Sequence, residues 1–236
     1  MVSSAIILAG GLGTRLKNVL NNIPKPMAPI DDKPFLSYLL SFLGRQGIKR
    51  VILAVGYKGD YIANFFSKKY LDIDLLYSFE DENSLLGTGG AVLKASKLIN
   101  DEDFFVLNGD TIFEVNLMEI YRFHKSKNAD ITIALKPMDN VMRYGAVEID
   151  KEGRIINFIE KGIEKFGLIN GGIYLISKNF MHNLNLAERF SFEQDLIQKY
   201  FGLYKFYGIK FDSYFIDIGV PEGYEKAKNE LPKRYW

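Results

Sequence analysis

The sequence has no cysteine and only two histidines in 236 residues. Without cysteine, disulfide bonds, thiolate catalysis, iron–sulfur clusters and cysteine zinc sites are all excluded. The histidines, His124 and His182, are far apart in the sequence, and we interpret both as ordinary surface or helix residues. No apolar run approaches the roughly 18 residues that a membrane helix needs, and no basic residue precedes the first apolar run as it would in a secretory signal. We therefore expect a cytoplasmic protein with no membrane partner.

Neither sign of charge is in excess, since 30 Lys and Arg stand against 29 Asp and Glu. This balance argues against a large basic face for nucleic acid, although it leaves room for a local basic pocket. The apolar fraction of 47% and the charged fraction of 25% are ordinary for a globular protein. We find no linker, repeat or low-complexity segment, and we therefore expect one domain over residues 1–236 with two lobes around a cleft.

Short apolar runs alternate with helix-like segments in the first half of the chain. This pattern predicts strands at 5–9, 51–55, 73–77 and 104–107 and helices at 34–44, 61–69 and 88–98. The second half predicts strands at 131–135, 145–149, 154–159, 173–176 and 215–218 and helices at 192–200 and 221–229. The fold class is α/β: a Rossmann-like, mainly parallel mixed sheet flanked by helices, with ligands expected beyond the carboxyl ends of the strands.

A glycine-rich segment follows the first predicted strand and ends in an arginine: Leu8-Ala9-Gly10-Gly11-Leu12-Gly13-Thr14-Arg15. Glycines allow close backbone approach, successive N–H groups can bind an anion, and Arg15 offers a planar fork for phosphate oxygens. A dinucleotide fingerprint fits less well, because Leu16 stands where its third glycine belongs, and the P-loop motif is absent. A tight strand–helix turn without ligand is the remaining alternative.

Three charged residues occupy positions suited to phosphate or cation binding. Asp110 and Asp217 each follow an apolar run, where a carboxylate can hold Mg²⁺ together with substrate phosphate oxygens. Taken singly, either could instead be a turn or helix-cap residue. Lys25 stands between Pro24 and Pro26, which restrict the backbone and hold its ammonium at a fixed reach, although alone it would suit a surface turn.

These segments together resemble the sugar-1-phosphate nucleotidyltransferases. The resemblance runs in family order from residue 5 to about residue 224, through Gly10–Arg15, Pro24–Met27, Leu86–Ala91, Asn108-Gly109-Asp110, Tyr144-Gly145, Glu160-Lys161, Asn170-Gly171-Gly172 and Asp217-Ile218-Gly219. Within the family the chain is most similar to the D-glycero-α-D-manno-heptose 1-phosphate guanylyltransferases. That likeness is carried by Lys25–Pro29, by Phe192-Glu193 with Asp195, and by Tyr214–Gly219.

The resemblance implies a nucleotidyltransferase fold of glycosyltransferase-A type, with a nucleotide-binding lobe near 1–115 and a sugar-binding lobe near 116–236. It implies transfer of a nucleoside monophosphate to a sugar 1-phosphate, with Arg15 and Lys25 catalytic and Mg²⁺ shared by Asp110 and Asp217. The implied nucleotide-binding residues are Leu8, Ala9, Gly10, Gly11, Gly13, Thr14, Arg15, Glu80, Glu82, Gly87, Thr88, Asn108 and Asp110. The implied sugar-binding residues are Tyr144, Gly145, Glu160, Lys161, Asn170, Gly171 and Gly172.

The acidic run before Gly87 favours guanine as the base. An ionised carboxylate only accepts hydrogen bonds, and the Watson–Crick edge of guanine presents adjacent N–H donors. Glu82 is our first choice for this role and Glu80 our second. We therefore expect GTP and a heptose 1-phosphate as substrates, for GDP-heptose that enters a capsule or lipopolysaccharide. The alternatives are a mannose-1-phosphate guanylyltransferase, a uridylyl- or thymidylyltransferase for a hexose 1-phosphate, and a non-catalytic nucleotide-sugar sensor. We expect no second activity after Asp217 and make no prediction of oligomeric state.

Overall fold

The computed structural model describes residues 2–11, 23–144, 146–159 and 166–235. Its strands are β1 Ser4–Leu8, β2 Pro29–Ile30, β3 Lys33–Pro34, β4 Arg50–Val55, β5 Lys69–Tyr70, β6 Ile73–Phe79, β7 Asp103–Asn108, β8 Thr111–Phe113, β9 Ile131–Met138, β10 Ala146–Ile149, β11 Ile155–Ile159, β12 Gly167–Ser177, β13 Phe206–Lys210 and β14 Phe215–Asp217. Its helices are α1 Phe35–Arg45, α2 Gly59–Phe66, α3 Gly87–Ser96, α4 Leu117–Lys127, α5 Lys178–Asn183, α6 Gln198–Tyr200 and α7 Pro221–Tyr235. A 3₁₀ turn covers Lys25–Met27, and a π-helical turn at Phe192–Ile197 leads into α6.

Four parallel strands, in the order β6-β4-β1-β7, form the first half of the main sheet. Strand β12 joins β7 in antiparallel direction and connects this half to β9, β10, β11 and β13. The expected mixed, mostly parallel sheet with flanking helices is thereby confirmed, as is the hairpin of β10 and β11. A single sheet continues through both halves of the chain.

The core lies on both faces of this sheet, because successive strand residues point to opposite sides. Ile7 and Leu53 pack with the α1 and α7 side chains on one face, whereas Ile6 and Ile52 pack with α3 and the 190–197 segment on the other. Burial on both faces explains why β1 and β4 read as continuous apolar runs rather than alternating ones. Within the described residues, no helix combines the length and the apolar character needed to span a bilayer.

The second half departs most from the sequence prediction. Helix α4 was not predicted, although Asn116 caps it by accepting a hydrogen bond from the Glu119 amide at 3.1 Å. His124, which we interpreted as a surface or helix residue, lies in this helix and is buried, with its Nδ1 2.9 Å from Oγ1 of Thr132. Strand β12 is much longer than the predicted 173–176, because it pairs with β9 on both sides of an irregularity between Asn170 and Tyr174.

Main-chain hydrogen bonds bring three chain segments together at the carboxyl ends of the central strands. The Gly109 amide donates to the Leu8 carbonyl at 3.0 Å, and the Ala9 amide donates to the Ala54 carbonyl at 2.8 Å. Leu8 is also in register with Asn108. The start of the glycine-rich segment therefore lies directly beside the Asn108-Gly109-Asp110 turn.

Candidate active site

An ion pair between Lys25 and Asp110 lies at the centre of this strand edge. The Lys25 Nζ atom is 2.8 Å from Oδ2 of Asp110, and the two side chains are 18% and 29% exposed. Lys25 begins the 3₁₀ turn that Pro24 precedes, and Asp110 follows the end of β7. The short turn and the strand end hold both charged groups in place before any ligand arrives.

A cavity of about 420 Å³ opens beside this ion pair. Ten of the predicted site residues line it: Leu8, Ala9, Gly10, Gly11, Lys25, Glu80, Gly87, Thr88, Asn108 and Asp110. Residues that were not predicted as site residues complete its wall: Pro26, Ala54, Leu85, Ala91, Gly109, Tyr174, Ser191, Phe192 and Glu193. The cavity therefore has an apolar interior with a few converging polar groups, as small-molecule sites commonly do.

Glu80, rather than Glu82, is the acid that the structure brings to the cavity. Its Oε2 atom accepts a hydrogen bond from the Leu86 amide at 2.8 Å. Burial raises the pKa of Glu80, while the Leu86 N–H and the charge of Lys94 oppose that rise. Glu82 is exposed, lies outside the cavity lining and accepts a hydrogen bond from the Lys58 amide at 2.6 Å. Our preference for Glu82 thus does not match its position.

The glycines at the start of α3 leave room for the main chain of a neighbouring segment, residues 188–192. A Cβ atom at Gly87 would lie 2.6 Å from the Phe190 carbonyl oxygen, and the Gly89 amide donates to that oxygen at 2.9 Å. The Thr88 hydroxyl oxygen accepts a hydrogen bond from the Phe192 amide at 2.9 Å. These glycines therefore allow the 188–192 segment to close the cavity wall.

A hydrogen-bond network of three side chains forms the far end of the cavity. Tyr174 is fully buried and donates through its hydroxyl to Oε1 of Glu193 at 2.9 Å. Asn170 Nδ2 donates to the same tyrosine oxygen at 2.7 Å and to Glu193 Oε1 at 3.1 Å. Tyr174 and Glu193 were missed as site residues, although Glu193 belongs to the Phe192-Glu193 block that carries the family resemblance. The network presents carboxylate and amide groups suited to hydroxyl ligands.

The predicted sugar residues Gly171 and Gly172 do not line the cavity but allow close packing of β12. A Cβ atom at Gly171 would lie 2.9 Å from the Ala134 carbonyl oxygen and would collide with the Phe113 ring. Gly172 has a φ of +75°, and a Cβ there would lie 2.8 Å from Nδ2 of Asn108. These glycines therefore bring β12, and with it Asn170, up to the strand edge.

Asp217 lies next to Asp110 because β14 pairs with β8 in antiparallel direction, with Asp217 opposite Thr111. A Cβ atom at Gly219 would stand 2.7 Å from Oδ1 of Asp217 and 3.5 Å from Oδ2 of Asp110. Glycine thus leaves open a small space that both carboxylates face. Burial first, and then the charge of Asp110, raise the pKa of Asp217. Two carboxylates facing one space suit a small divalent cation that completes its shell with phosphate oxygens and water.

Tyr144 lies beside this pair of carboxylates. Burial, together with the negative charge of Asp217, raises the pKa of Tyr144 to about 12. Its ring packs edge-on against Phe215, with centroids 6.0 Å apart.

Six predicted residues, namely Gly13, Thr14, Arg15, Gly145, Glu160 and Lys161, lie outside the described residues. Within the described part of the chain, no group of three or more His, Asp or Glu side chains is arranged to hold a metal ion.

A strand edge of this kind, with a glycine segment, a lysine and two carboxylates, defines a nucleotidyl transferase. Residues 4–234 match the profile of the nucleotidyl transferase family, and the chain belongs to that family.

Two curated relatives are D-glycero-α-D-manno-heptose 1-phosphate guanylyltransferases, each 50% identical to the chain. The Aneurinibacillus thermoaerophilus enzyme aligns over 227 residues, 96% of this chain and 97% of its own length. The Campylobacter jejuni enzyme aligns over 220 residues, 93% of this chain and 96% of its own length. The crystal structure of HddC from Yersinia pseudotuberculosis is 39% identical with a TM-score of 0.87, covering 98% of this chain and 100% of that one. A second HddC structure, complexed with GMP-PN, has a TM-score of 0.85.

Proposed function

We propose that the protein is a guanylyltransferase that transfers GMP from GTP to D-glycero-α-D-manno-heptose 1-phosphate, giving GDP-heptose and pyrophosphate. The observation that carries the proposal is that Lys25 and Asp110 line one cavity together with the glycine segment, Glu80, Tyr174 and Glu193, and that Asp217 lies beside Asp110. The two heptose 1-phosphate guanylyltransferases that are 50% identical over nearly the whole chain support this choice of substrates.

The chemistry asks little of the protein beyond alignment and charge. A phosphate oxygen of the sugar 1-phosphate forms a bond to the α-phosphorus of GTP, and the bond from that phosphorus to the oxygen bridging to the β-phosphate breaks. Because the nucleophile is already an anion, no strong general base is required. Lys25 neutralises charge on the α-phosphate, a role for which its fixed turn and its partial burial suit it. Arg15 remains our predicted contact for the leaving pyrophosphate.

Asp110 and Asp217 would hold a Mg²⁺ ion. When bound, the ion would neutralise charge on the phosphates of both substrates and orient them. The space between the two carboxylates at Gly219 fits such an ion, and the absence of further carboxylate or histidine ligands among the described residues agrees with a site completed by phosphate and water.

Glu80 is our candidate for recognising guanine. Its carboxylate lies at the cavity wall with one oxygen fixed by the Leu86 amide. In its ionised form it accepts hydrogen bonds from the adjacent N–H donors of the base. Leu85 and Ala91 supply apolar surface in the same wall. Base selection thus rests on one partly buried carboxylate.

We assign the sugar to the wall formed by Asn170, Tyr174 and Glu193, together with Tyr144, Gly145, Glu160 and Lys161 as predicted from the sequence. A cytoplasmic location and a destination of the product in a capsule or lipopolysaccharide are part of the same proposal.

The decisive experiment measures pyrophosphate release from each nucleoside triphosphate paired with heptose, mannose or glucose 1-phosphate, with and without Mg²⁺. We expect rapid turnover only with GTP and the heptose, and only with the cation. Turnover with UTP or dTTP would overturn the guanine assignment, and faster turnover with mannose 1-phosphate would overturn the heptose assignment. Nucleotide binding without turnover of any pair would overturn the enzyme assignment in favour of a sensor.

A further inference from the structure

Arg143, in the segment between β9 and β10, contacts Asp217 of the Asp110–Asp217 pair. Its Nη2 atom is 3.4 Å from Oδ2 of Asp217 and 3.3 Å from the Tyr144 hydroxyl oxygen. The Arg143 side chain is 49% exposed, whereas that of Asp217 is 15% exposed. The guanidinium is therefore accessible to a ligand from solvent, and it is more exposed than the carboxylate that it contacts.

The Tyr144 ring, which itself packs against Phe215, holds the guanidinium in this position. The Arg143 Cζ atom lies 5.1 Å from the centre of the Tyr144 ring, and that ring packs edge-on against Phe215. Phe215 belongs to β14, the strand that ends at Asp217. The arginine is thus attached through Tyr144 to the same strand that carries the carboxylate, so its position beside the site does not depend on the ion pair alone.

The contact with Asp217 leaves the hydrogen-bonding capacity of Arg143 largely unused. A single long contact at 3.4 Å is not the paired geometry that a guanidinium forms with a carboxylate, and half-exposed ion pairs contribute little. A guanidinium has five N–H donors arranged to match two oxygens of a phosphate group. When a phosphate binds here, Arg143 can therefore replace its one weak contact with Asp217 by two strong hydrogen bonds to phosphate oxygens.

The two described cations at the site pair with different carboxylates. Lys25 lines the cavity with the glycine segment and pairs with Asp110, whereas Arg143 is outside the cavity lining and contacts Asp217. The reaction joins two phosphate-bearing anions at this point. Because Arg143 also contacts Tyr144, a predicted sugar-binding residue, its position matches the phosphate of the sugar 1-phosphate.

We propose that Arg143 binds the phosphate of the sugar 1-phosphate, giving up its contact with Asp217 when that substrate enters. This inference rests on the proposed function for the identity of the substrate. It makes Arg143 a substrate-binding residue that positions the attacking phosphate, and it explains why the arginine is ordered on Tyr144 yet only weakly paired.

Steady-state kinetics of the full chain and its Arg143→Gln and Arg143→Lys variants test the proposal, with Arg122→Gln on the exposed face of α4 as the matched control. We expect R143Q to raise the KM for heptose 1-phosphate by about 10- to 100-fold, the range for losing a charged hydrogen bond, with the KM for GTP within about 2-fold. R143K should recover part of the loss because it keeps the charge but not the fork. R122Q should match the unsubstituted protein.

Calorimetric titration with heptose, mannose and glucose 1-phosphates, in the presence of Mg²⁺ and a GTP analogue with a methylene group between its α- and β-phosphates, gives a second readout that does not depend on turnover. We expect R143Q to weaken binding of whichever sugar 1-phosphate the unsubstituted protein binds. Equal affinities in R143Q and unsubstituted protein overturn the proposal, as does an equal rise in the KM for GTP, which would place the arginine on the nucleotide. If the unsubstituted protein binds another sugar 1-phosphate and R143Q does not, the heptose assignment fails while the arginine assignment stands. Binding of no sugar 1-phosphate overturns both.

Discussion

The Nζ atom of Lys25 lies 2.8 Å from Oδ2 of Asp110, although 85 residues separate the two in the sequence. The chain reaches this arrangement because a proline-flanked turn and the end of a central strand meet at one edge of the sheet. Each group limits the other's motion before substrate binds. A cation held in this way needs little reorganisation when charge develops at a phosphate, which is the condition for strong electrostatic stabilisation.

Replacing Lys25 with alanine should therefore remove most of the activity. We expect kcat to fall by about 100- to 1,000-fold, as when one preorganised donor to a developing charge is lost. The melting temperature should change by no more than about 4 °C, because Asp110 is partly exposed and can be hydrated. Pyrophosphate release and circular dichroism measure the two effects. Lys226→Ala, at an exposed position of α7, is the control, and undiminished kcat in Lys25→Ala would refute the role of the lysine.

The base preference can be tested with a matched pair of variants. Glu80→Gln should lower kcat/KM for GTP by about 10- to 100-fold, because one oxygen of an acceptor-only group becomes a donor toward the N–H groups of guanine. Glu82→Gln should change it by less than about 2-fold, since Glu82 is outside the cavity. Steady-state kinetics with GTP, UTP and dTTP distinguish the two. A larger effect from Glu82→Gln would restore the preference inferred from the sequence.

The raised pKa of Glu80 predicts a pH dependence for GTP binding if this residue recognises guanine. Burial raises that pKa, and only the ionised carboxylate can accept from guanine. As pH falls through the raised value, the KM for GTP should rise at a higher pH than for an ordinary glutamate. Glu80→Gln should lack this acidic limb. If the unsubstituted protein and Glu80→Gln have the same pH profile of kcat/KM for GTP, the acidic limb does not arise from Glu80.

The parallel half of the fold could be predicted because its strands are buried on both faces. β1, β4 and β7 each appear as a short apolar run that ends in glycine or polar residues, and the shortness of these runs favours a buried strand over a helix. The second half was harder, because its strands owe their extent to tertiary pairing. Gly171 and Gly172 interrupt the apolar pattern of β12, although pairing with β9 continues on either side of them.

The residues of the site likewise fall into those that could be predicted from the sequence and those that could not. Lys25, Asp110 and the glycine segment could be predicted because each stands in a short motif whose chemistry is local. Glu80 could not be preferred over Glu82, since only the fold determines which of two nearby acids faces the cavity. Tyr174 was missed because its neighbours in the β12 sequence are apolar, which is typical of a core residue. Its hydrogen-bond partner Glu193 belongs to a different segment, so the contact could not be seen in the local sequence.

Tyr174 offers a test of the far wall. Tyr174→Phe removes a buried hydroxyl that contacts both Asn170 and Glu193, so stability should fall by about 1–2 kcal/mol. The KM for the sugar 1-phosphate should rise because Glu193 loses a fixed partner, while the KM for GTP stays within about 2-fold. Thermal unfolding and kinetics measure both effects. Tyr61→Phe, at an exposed hydroxyl on α2, should change neither, and an unchanged sugar KM in Tyr174→Phe would remove the network from substrate binding.

Asp217 provides a prediction in which stability and activity move in opposite directions. Burial and the neighbouring Asp110 raise its pKa in the folded protein, so the folded state binds more protons than the unfolded state between the ordinary and the raised value. Stability should therefore fall as pH rises through that window and stay lower at neutral pH. Asp217→Asn removes the charge while its Oδ1 can still accept from the Gly219 amide. The variant should melt about 1–4 °C higher at neutral pH without Mg²⁺, an advantage that disappears at low pH.

The same variant should lose at least about 100-fold in activity, because a carboxylate ligand of the proposed cation is gone. Asp72→Asn, at an exposed carboxylate, is the control and should alter neither property. Thermal unfolding from pH 4 to pH 8 without Mg²⁺, with pyrophosphate release measured in parallel, provides both readouts. A destabilised but active Asp217→Asn would mean that the carboxylate stabilises the fold and does not bind a catalytic cation. A stabilised, inactive variant would mean that the protein gives up stability to keep two carboxylates together for catalysis.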